Sequence, residues 1–309
     1  MKLFIAGATG VLGKRVVRLL IAEGHQVVGL SRSTANHTWL KEQGAEPREG
    51  DLFNQEQMVQ LVAGCAGVLH LATAIPNKSR PTLADWAMND RIRREGTQNL
   101  IAAALHHQCP LYVQQSVTFL YGDQQGGWVD ETTPIMSQPG GVLQSAVDME
   151  QMVNAAAQQH HLPAIILRFG TFYSHDSAQT QNMLSLTRKG WFPVIGDGQA
   201  YWNMIHVDDA ARAVVQAVNN YPQPLPHTFN ICDDEPVTYG ELVAHLAQTL
   251  GARKPLRLPV FLANLLLGSG TVRFLLASAR GRNQLAQEKL GWRPHYPTYR
   301  EGFAAEIQE

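Results

Sequence analysis

The sequence is poor in charge and lacks a long uninterrupted apolar segment. Charged residues make up 17% of its 309 residues, below the roughly 25% usual in soluble proteins. The 25 basic side chains nearly balance the 26 acidic ones, so no basic excess indicates a nucleic-acid or membrane partner. The longest apolar stretch, 256–276, is interrupted by proline, glycine and arginine, which makes it a poor membrane span.

Cysteine is also scarce. Cys65, Cys109 and Cys232 form no Cys-x-x-Cys pair, which argues against a disulfide framework and a zinc ribbon. No His-Glu-x-x-His or other metal spacing occurs, so no metal site is predicted. The first apolar run, residues 3–6, is too short for a secretory signal. These features predict free thiols in a reducing cytoplasm.

What the sequence does contain is a regular alternation over its first 170 residues. Strands that alternate with helices predict crossover connections and a parallel sheet covered on both faces. The predicted fold is therefore α/β, a Rossmann-type doubly wound parallel sheet. The apolar runs interpreted as strands are 2–6, 26–30, 67–71, 111–115 and 164–168, and the helical stretches are 14–23, 55–62, 95–106 and 142–159.

The alternation ends near residue 170. Residues 171–204 are rich in glycine, aromatic and polar residues, whereas 205–218, 228–231 and 239–250 again resemble strand and helix. A length of 309 residues, at about 150 residues per domain, fits two units. We predict a dinucleotide-binding domain at 1–170, completed by about 205–232. Residues 171–204 and 233–309 would form a smaller, discontinuous substrate-binding part.

A glycine-rich loop follows the first predicted strand. Its sequence is Gly7-Ala8-Thr9-Gly10-Val11-Leu12-Gly13, and a helix follows directly. The first glycine permits the tight turn, the second lets the backbone approach a pyrophosphate, and the third lets helix and strand pack closely. The strand, loop, helix and second strand stand where a βαβ unit requires them, so the loop predicts dinucleotide binding.

The second predicted strand ends in Leu30-Ser31-Arg32-Ser33. Sites that prefer NAD usually have an acid here, which holds the ribose 2′-hydroxyl. An arginine instead suits a 2′-phosphate, so NADP is favoured over NAD. The alternative is that Arg32 is only a solvated loop charge.

Further motifs occur in a characteristic order, and together with the glycine loop they resemble those of the extended short-chain dehydrogenases/reductases of the NAD-dependent epimerase/dehydratase type. The resemblance covers nearly the whole length. The motifs are Gly50-Asp51-Leu52, Val68-Leu-His-Leu-Ala-Thr73, Gly96-Thr-Gln-Asn-Leu100, Ser116 before Tyr121-Gly122, Leu167-Arg168, Gly196-Asp-Gly198, His206-Val-Asp-Asp209, Phe229-Asn-Ile231 and Leu290-Gly-Trp-Arg-Pro294.

The resemblance implies a set of cofactor-binding residues. Asp51 and Leu52 would lie against the adenine, and Leu71 and Ala72 would line the path to the nicotinamide. The complete set is Gly7, Thr9, Gly10, Val11, Leu12, Gly13, Arg32, Asp51, Leu52, Leu71, Ala72, Ser116 and Phe169.

The catalytic pair of that family is missing. Its chemistry uses a tyrosine and a lysine four residues apart on one helix, where the ammonium group lowers the pKa of the phenol. Alignment on Ser145 and Glu150 places Val142 and Ala146 at these two positions. No lysine occurs from 79 to 188, and no Tyr-x-x-x-Lys occurs anywhere in the chain.

Three residues are candidates for the remaining chemistry. Ser116 or Thr118 could hydrogen-bond a substrate carbonyl, or each could be a strand-end hydroxyl bonded to the backbone. Tyr173 lies in a segment that, by the resemblance, passes the nicotinamide, which makes it a candidate proton donor. Arg93 stands where the family often has asparagine. It belongs to a cluster, with Arg91 and Arg94, that is either a solvated face or a contact to a phosphate or a partner helix.

Two functional interpretations follow. The first is an NADP-dependent oxidoreductase or epimerase-type enzyme acting on a small carbonyl or sugar-like substrate, with a non-standard proton donor. The second is a catalytically inactive NADP-binding sensor or scaffold. Both predict a small-molecule ligand and no nucleic-acid or membrane partner. The resemblance also permits a homodimer formed through helices at about 85–107 and 142–159.

Overall fold

The structure is a computed structural model that describes residues 1–78, 81–223 and 227–308. The predicted domain ranges also include 79–80, 224–226 and 309, which lie outside the described residues. The strands are β1 (Lys2–Ala6), β2 (Gln26–Ser31), β3 (Glu46–Glu49), β4 (Gly67–His70), β5 (Tyr112–Val117), β6 (Trp128–Val129), β7 (Ala164–Phe169), β8 (Thr171–Tyr173), β9 (Val194–Ile195), β10 (Tyr201–Trp202), β11 (Met204–His206), β12 (Thr228–Ile231), β13 (Val237–Thr238), β14 (Arg257–Leu258) and β15 (Arg280–Gly281).

Helices fill most of the intervals between strands. They are α1 (Val11–Ala22), α2 (Thr34–Glu42), α3 (Gln55–Val62), α4 (Leu83–Arg91), α5 (Thr97–His106), α6 (Gly141–His160), α7 (Ala178–Arg188), α8 (Val207–Asn219), α9 (Tyr239–Thr249), α10 (Val260–Leu267), α11 (Ser269–Leu276) and α12 (Tyr299–Gln308). A π-helical turn, Ile92–Gly96, joins α4 to α5, a second covers Ala286–Leu290, and a 3₁₀ turn covers Thr118–Tyr121.

The central sheet, within the described ranges, contains seven strands in the order β12-β7-β5-β4-β1-β2-β3. All neighbouring pairs are parallel. The chain moves outward from β1 through β2 and β3, and then returns to place β4 on the other side of β1. Ligands of such sheets bind outside the carboxyl ends of the strands at this switch point, here between β1 and β4.

The two faces of β1 enter two separate hydrophobic clusters. Leu3 and Ile5 pack on the side of α1 and α8, whereas Phe4 and Ala6 pack on the side of α3, α5 and α6. Burial on both faces explains why the strand is an uninterrupted apolar run. The prediction of a doubly wound α/β fold is confirmed.

Two elements of the sheet region, β3 and α2, escaped the sequence analysis, and α4 was expected only as part of a helix at about 85–107. Strand β3 has the sequence Glu-Pro-Arg-Glu, and it pairs only with β2, at the edge of the sheet, where proline and charge are tolerated. Local caps start the two helices: the Ser33 hydroxyl accepts from the Asn36 amide at 3.3 Å before α2, and Thr82 and Asp85 form a capping box before α4.

Residues beyond β7 contain more regular structure than the sequence indicates. Segment 171–204 holds α7 and short strands. Two further clusters, one around Leu242 and Phe303 and one around Val194 and Val243, form the core of this C-terminal part. The division of the chain into two functional domains stays a prediction. No helix within the described residues is both long and apolar enough to cross a membrane.

Candidate cofactor cleft and active site

Gly7 closes the turn between β1 and α1. Its φ of +91° lies in the region that favours glycine. A Cβ atom at this position would lie 2.5 Å from the Ala72 nitrogen and 2.6 Å from the Leu71 carbonyl carbon. The glycine loop therefore rests directly on the backbone of Leu71–Ala72, and the structure brings these sequence-predicted residues together at the switch point.

Gly13 brings α1 against the same turn. A Cβ atom there would lie 1.9 Å from the Gly7 carbonyl oxygen, whereas a Cβ atom on Gly10 would lie 3.4 Å from that oxygen. Of the neighbouring predicted residues, Leu12 is buried in the core, and Thr9 and Val11 are half-buried. Gly13 and Leu12 thus fix the helix, and Gly10 stands exposed at its start.

The N-terminus of α1 is open to an anion. Gly10 caps the helix without a side-chain hydrogen bond, and the first turn contains no acidic residue. The first amide groups of a helix have no partner within the helix, and its dipole favours negative charge there. This arrangement fits a dinucleotide pyrophosphate.

A cleft of about 560 Å³ lies where the adenosine end is expected, and Arg32, Glu49, Gly50, Asp51 and Gln57 are among its lining residues. Arg32 is exposed. Asp51 is held in place because its Oδ1 accepts from the Phe53 amide at 3.0 Å, while its own amide donates to the Gln57 side chain at 2.9 Å.

Leu52 and Glu49 complete the adenosine end. Leu52 is buried, and its carbonyl accepts from the Asn99 side chain at 2.9 Å. Glu49, at the end of the unpredicted strand β3, shares the cleft with Arg32. A carboxylate beside the arginine is a feature that the sequence analysis missed, because β3 itself has no strand pattern.

The catalytic pair that the resemblance implies has no counterpart in α6. Helix α6 contains neither tyrosine nor lysine. Val142 is half-buried, and Ala146 is fully buried in a small cluster with Leu120 and Val147. Apolar packing therefore fills the stretch of helix at which the resemblance places the catalytic side chains.

Ser116 lies in β5 and is engaged with α6. Its hydroxyl donates to Glu150 Oε1 at 2.5 Å. Glu150 is fully buried and forms an ion pair with Arg168, whose Nη2 lies 2.6 Å from Oε2 and whose Nε lies 3.0 Å from Oε1. The serine hydroxyl therefore belongs to a buried network that ties β5, α6 and β7 together.

Tyr121 extends this network. Arg168 Nη1 donates to the phenol oxygen at 2.9 Å, and the phenol donates to Asn230 Oδ1 at 2.8 Å. Burial raises the pKa of Tyr121 to about 12. Because Arg168 and Asn230 both engage its hydroxyl, the contacts give Tyr121 a structural role.

The other predicted side chains occupy different places. Thr118 opens the 3₁₀ turn after β5 and is 3% exposed. Phe169 ends β7, and its ring centroid lies 5.3 Å from that of Phe172. Both lie at carboxyl ends of central strands, the edge of the sheet to which the glycine loop also belongs.

Tyr173 packs within the C-terminal part. It is fully buried, its hydroxyl donates to Asp233 Oδ2 at 3.2 Å, and its ring stacks on Phe303 at 4.5 Å. Burial and the neighbouring Asp233 raise the pKa of Tyr173 well above its usual range. The structure does not bring this side chain to α6, because its contacts hold it against α12.

Arg93 differs from its two neighbours in the arginine cluster. Arg91 and Arg94 are exposed and pair with Glu95 and Asp148, whereas Arg93 is only 8% exposed and turns toward α6. Its spacing from buried Thr97 and Leu100 places it on the inner face of the helix. That spacing was the available signal for its burial.

Arg15 ties the N-terminal half of α1 to the C-terminal part. Its guanidinium forms two hydrogen bonds to Asp176, Nη1 to Oδ2 at 2.9 Å and Nη2 to Oδ1 at 3.0 Å. Its Nε donates to Asp208, in the first turn of α8. The helix that would hold the pyrophosphate is therefore anchored by three hydrogen bonds outside the glycine loop.

Comparison with known proteins gives matches over the whole chain. A family model described as the NAD dependent epimerase/dehydratase family matches residues 3–232. The chain is 30% identical, over 315 residues, to the 3-diazoavenalumate denitrifying reductase of a Streptomyces species, a match covering 99% of this chain and 100% of that protein. It is 29% identical, over 258 residues, to a 2-alkyl-3-oxoalkanoate reductase of Shewanella oneidensis, with 78% and 64% covered.

Solved structures with the same fold include two epimerases. The UDP-glucose 4-epimerase of Thermotoga maritima, solved with UDP-glucose, superposes with a TM-score of 0.80 at 20% identity, covering 100% of this chain and 98% of that one. The UDP-glucose 4-epimerase of Thermus thermophilus, in complex with NAD, gives 0.78 at 21% identity and the same coverage. At these identities the likeness establishes the fold alone.

Proposed function

Because the chain belongs to the NAD-dependent epimerase/dehydratase family, we propose that it is an NADP-dependent reductase of a small electrophile. It would carry out this reaction without the tyrosine–lysine pair of the family. The observation that carries the proposal is the contrast between the glycine loop and helix α6. The glycine loop rests on Leu71–Ala72 as a dinucleotide requires, while α6 lacks both catalytic side chains. Relatives named as reductases support the same activity.

The cofactor residues act by position and charge. The free amides at the start of α1 would bind the pyrophosphate, Asp51 would hold the adenine, and Arg32 would bind the 2′-phosphate. Leu71, Ala72 and Phe169 shape the path of the nicotinamide, and the buried Ser116 supports this wall through Glu150. When bound, NADPH supplies a hydride to the substrate.

The missing general acid restricts the substrate. A small carbonyl or sugar-like ketone that accepts hydride also needs a proton, which here must come from water or from the substrate itself, at a loss of about 10²–10⁴ in rate. An arenediazonium ion needs none. Hydride forms the new C–H bond, the C–N bond breaks with its electron pair, and N₂ leaves. The name of the Streptomyces relative, a denitrifying reductase of a diazo compound, supports this second type of acceptor.

A second candidate function is an NADP-binding sensor or scaffold. It is favoured by the hydrogen bond from Ser116 to Glu150, because a hydroxyl that donates its proton to Glu150 does not donate it to a substrate. Both functions require the cofactor, and they differ in whether hydride leaves it.

Cofactor binding is measured first, and turnover second. Calorimetry with NADPH and NADH should give tighter binding of NADPH, and failure of both to bind would contradict both candidate functions. The loss of NADPH absorbance is then followed with ketones, nucleotide sugars and stable arenediazonium salts. Turnover limited to diazonium salts, and unchanged in Tyr173→Phe, is the expected result. No turnover with any acceptor, despite NADPH binding, would favour the sensor.

A further inference from the structure

Arg93 occupies an unusual position beside the part of α6 that lacks the catalytic tyrosine and lysine. It lies in the π-helical turn Ile92–Gly96, a type of turn that frequently occurs at functional sites. Its Nη1 donates to the Val142 carbonyl at 3.2 Å and approaches the Ser145 hydroxyl at 3.4 Å. Val142 stands at the position of the missing tyrosine, and Ser145 directly precedes that of the missing lysine.

The charge of Arg93 is not neutralised by an ion pair. No carboxylate of the described residues lies within ion-pair distance of it, in contrast to the pairs of Arg91, Arg94 and Arg168. The carboxylate that interacts electrostatically with Arg93 is Asp90, but it accepts its hydrogen bond from the Ser145 hydroxyl at 2.6 Å. Burial lowers the pKa of Arg93 to about 10, so the guanidinium is still charged at neutral pH.

A buried charge without a partner is costly unless something completes its environment. The Arg93 guanidinium has five N–H groups, and Nη1 makes both of the hydrogen bonds found within the described chain. The planar group matches a carboxylate, which it can bind through two parallel hydrogen bonds. The chemistry that fits this position is therefore anionic and planar.

The surroundings of α6 are apolar apart from this charge. Val117 and Leu143 pack against the cluster that contains Ala146. Phe119, just after β5, lies against Phe274 of α11 with ring centroids 4.3 Å apart, and both rings are half-buried. An aromatic or aliphatic body would find apolar contacts on this side of the cleft.

We propose that Arg93 binds the carboxylate of the substrate, and that the substrate is a small aromatic or aliphatic carboxylic acid whose apolar body lies along Val117, Leu143 and Phe119. This rests on the proposed function, because it places the substrate at the end of the cleft next to α6. Arg93 would orient the acid. The family carries a positive charge near this place on a lysine, and here the charge of Arg93 would serve to bind the substrate.

The experiment measures binding separately from turnover. Calorimetry on the full chain, saturated with NADP, compares 3-phenylpropanoate with its neutral amide, 3-phenylpropanamide. We expect the acid to bind more tightly than the amide, Arg93→Met to weaken the acid about 10- to 100-fold, and Arg93→Lys to weaken it less. Arg94→Met, one residue along and exposed, is the matched control and should change neither affinity.

Each alternative outcome is distinct. Equal affinity for acid and amide in the wild type, or no binding of either at millimolar concentration, would overturn the proposal even if Arg93→Met fails to fold. If Arg93→Met weakens NADPH and leaves the acid unchanged, Arg93 belongs to the cofactor ribose and the proposal is wrong. Wild-type protein that binds the acid but not NADPH would contradict the proposed function and leave the carboxylate site standing.

Discussion

The glycine-loop side and the α6 side of the cleft are built from different parts of the chain. On the first side backbone touches backbone, since Gly7 and Gly13 leave no room for a Cβ atom. On the second side side chains make the contacts, through Ala146, Glu150 and Arg93. A surface made of backbone restricts which residues can form it, whereas a surface made of side chains can change its chemistry while the helix stays in place.

The largest effect is expected at the backbone contact. Gly13→Ala places a Cβ atom 1.9 Å from the Gly7 carbonyl, which no rotamer change relieves, so the free energy of unfolding should fall by at least about 3 kcal/mol. NADPH binding should be lost as well. Chemical denaturation and calorimetry measure the two losses.

Gly10→Ala is the matched control within the same loop. Its Cβ atom would lie at an ordinary distance of 3.4 Å, so stability should change little while NADPH binds less tightly because the pyrophosphate approach is obstructed. A Gly13→Ala protein that melts and binds like the wild type would show that the loop is not confined as described.

The buried pair on the α6 side should give the next largest effect. Glu150→Gln leaves Arg168 without a carboxylate, and breaking a buried pair typically lowers the free energy of unfolding by about 3–5 kcal/mol. NADPH affinity of the folded fraction should stay near the wild-type value. Glu95→Gln removes the exposed partner of Arg91 and should change stability by less than about 1 kcal/mol. Equal effects of the two substitutions would contradict a structural role for Glu150.

Introducing the tyrosine and lysine of the family into α6 tests whether the surrounding side chains still accommodate them. Ala146 is fully buried, so Val142→Tyr with Ala146→Lys introduces both excess volume and a buried charge near Arg93. We expect a loss of at least about 2 kcal/mol in unfolding free energy and no gain in ketone reduction. Gln151→Lys, exposed on the same helix, should be neutral. A stable double variant with increased turnover would contradict this, because it would show that the surroundings of α6 still accommodate the tyrosine and the lysine.

The smallest effect is expected at the adenosine end. Arg32→Ala removes a charged contact to the 2′-phosphate and should weaken NADPH about tenfold while leaving NADH unchanged. Lys41→Ala, on α2 and exposed, is the control. Equal affinities for NADPH in the wild type and in Arg32→Ala would indicate that Arg32 is only a solvated charge.

The sequence was most informative where the backbone decides. Strand β1 coincides with the prediction from its apolar run, and β7 is one residue longer than predicted, because burial on both faces leaves an uninterrupted pattern. The glycine loop was predicted, but its contact to the backbone of Leu71–Ala72 was not and came from the structure. Strand β3 could not be found in this way, since its proline and charges suit an edge position that only the assembled sheet defines.

Side-chain networks were less accessible. The absence of tyrosine and lysine from α6 is a fact of composition, but the pairing of Glu150 with Arg168 joins residues 18 apart in the chain and depends on how α6 crosses β7. Tyr173 illustrates the same limit, because its hydroxyl bonds Asp233, 60 residues away. Such contacts depend on tertiary packing, which local periodicity does not encode.

The three hydrogen bonds of Arg15 have a consequence for motion. They connect the N-terminal half of α1 with Asp176, just ahead of α7, and with Asp208 on α8. A local opening of α1 at Arg15 must therefore break contacts on two other segments, and these regions should open together on the time scale of amide hydrogen exchange. The phosphate end of the cleft is thus expected to behave as a rigid anchor, so adjustment to different substrates falls to the side near α6.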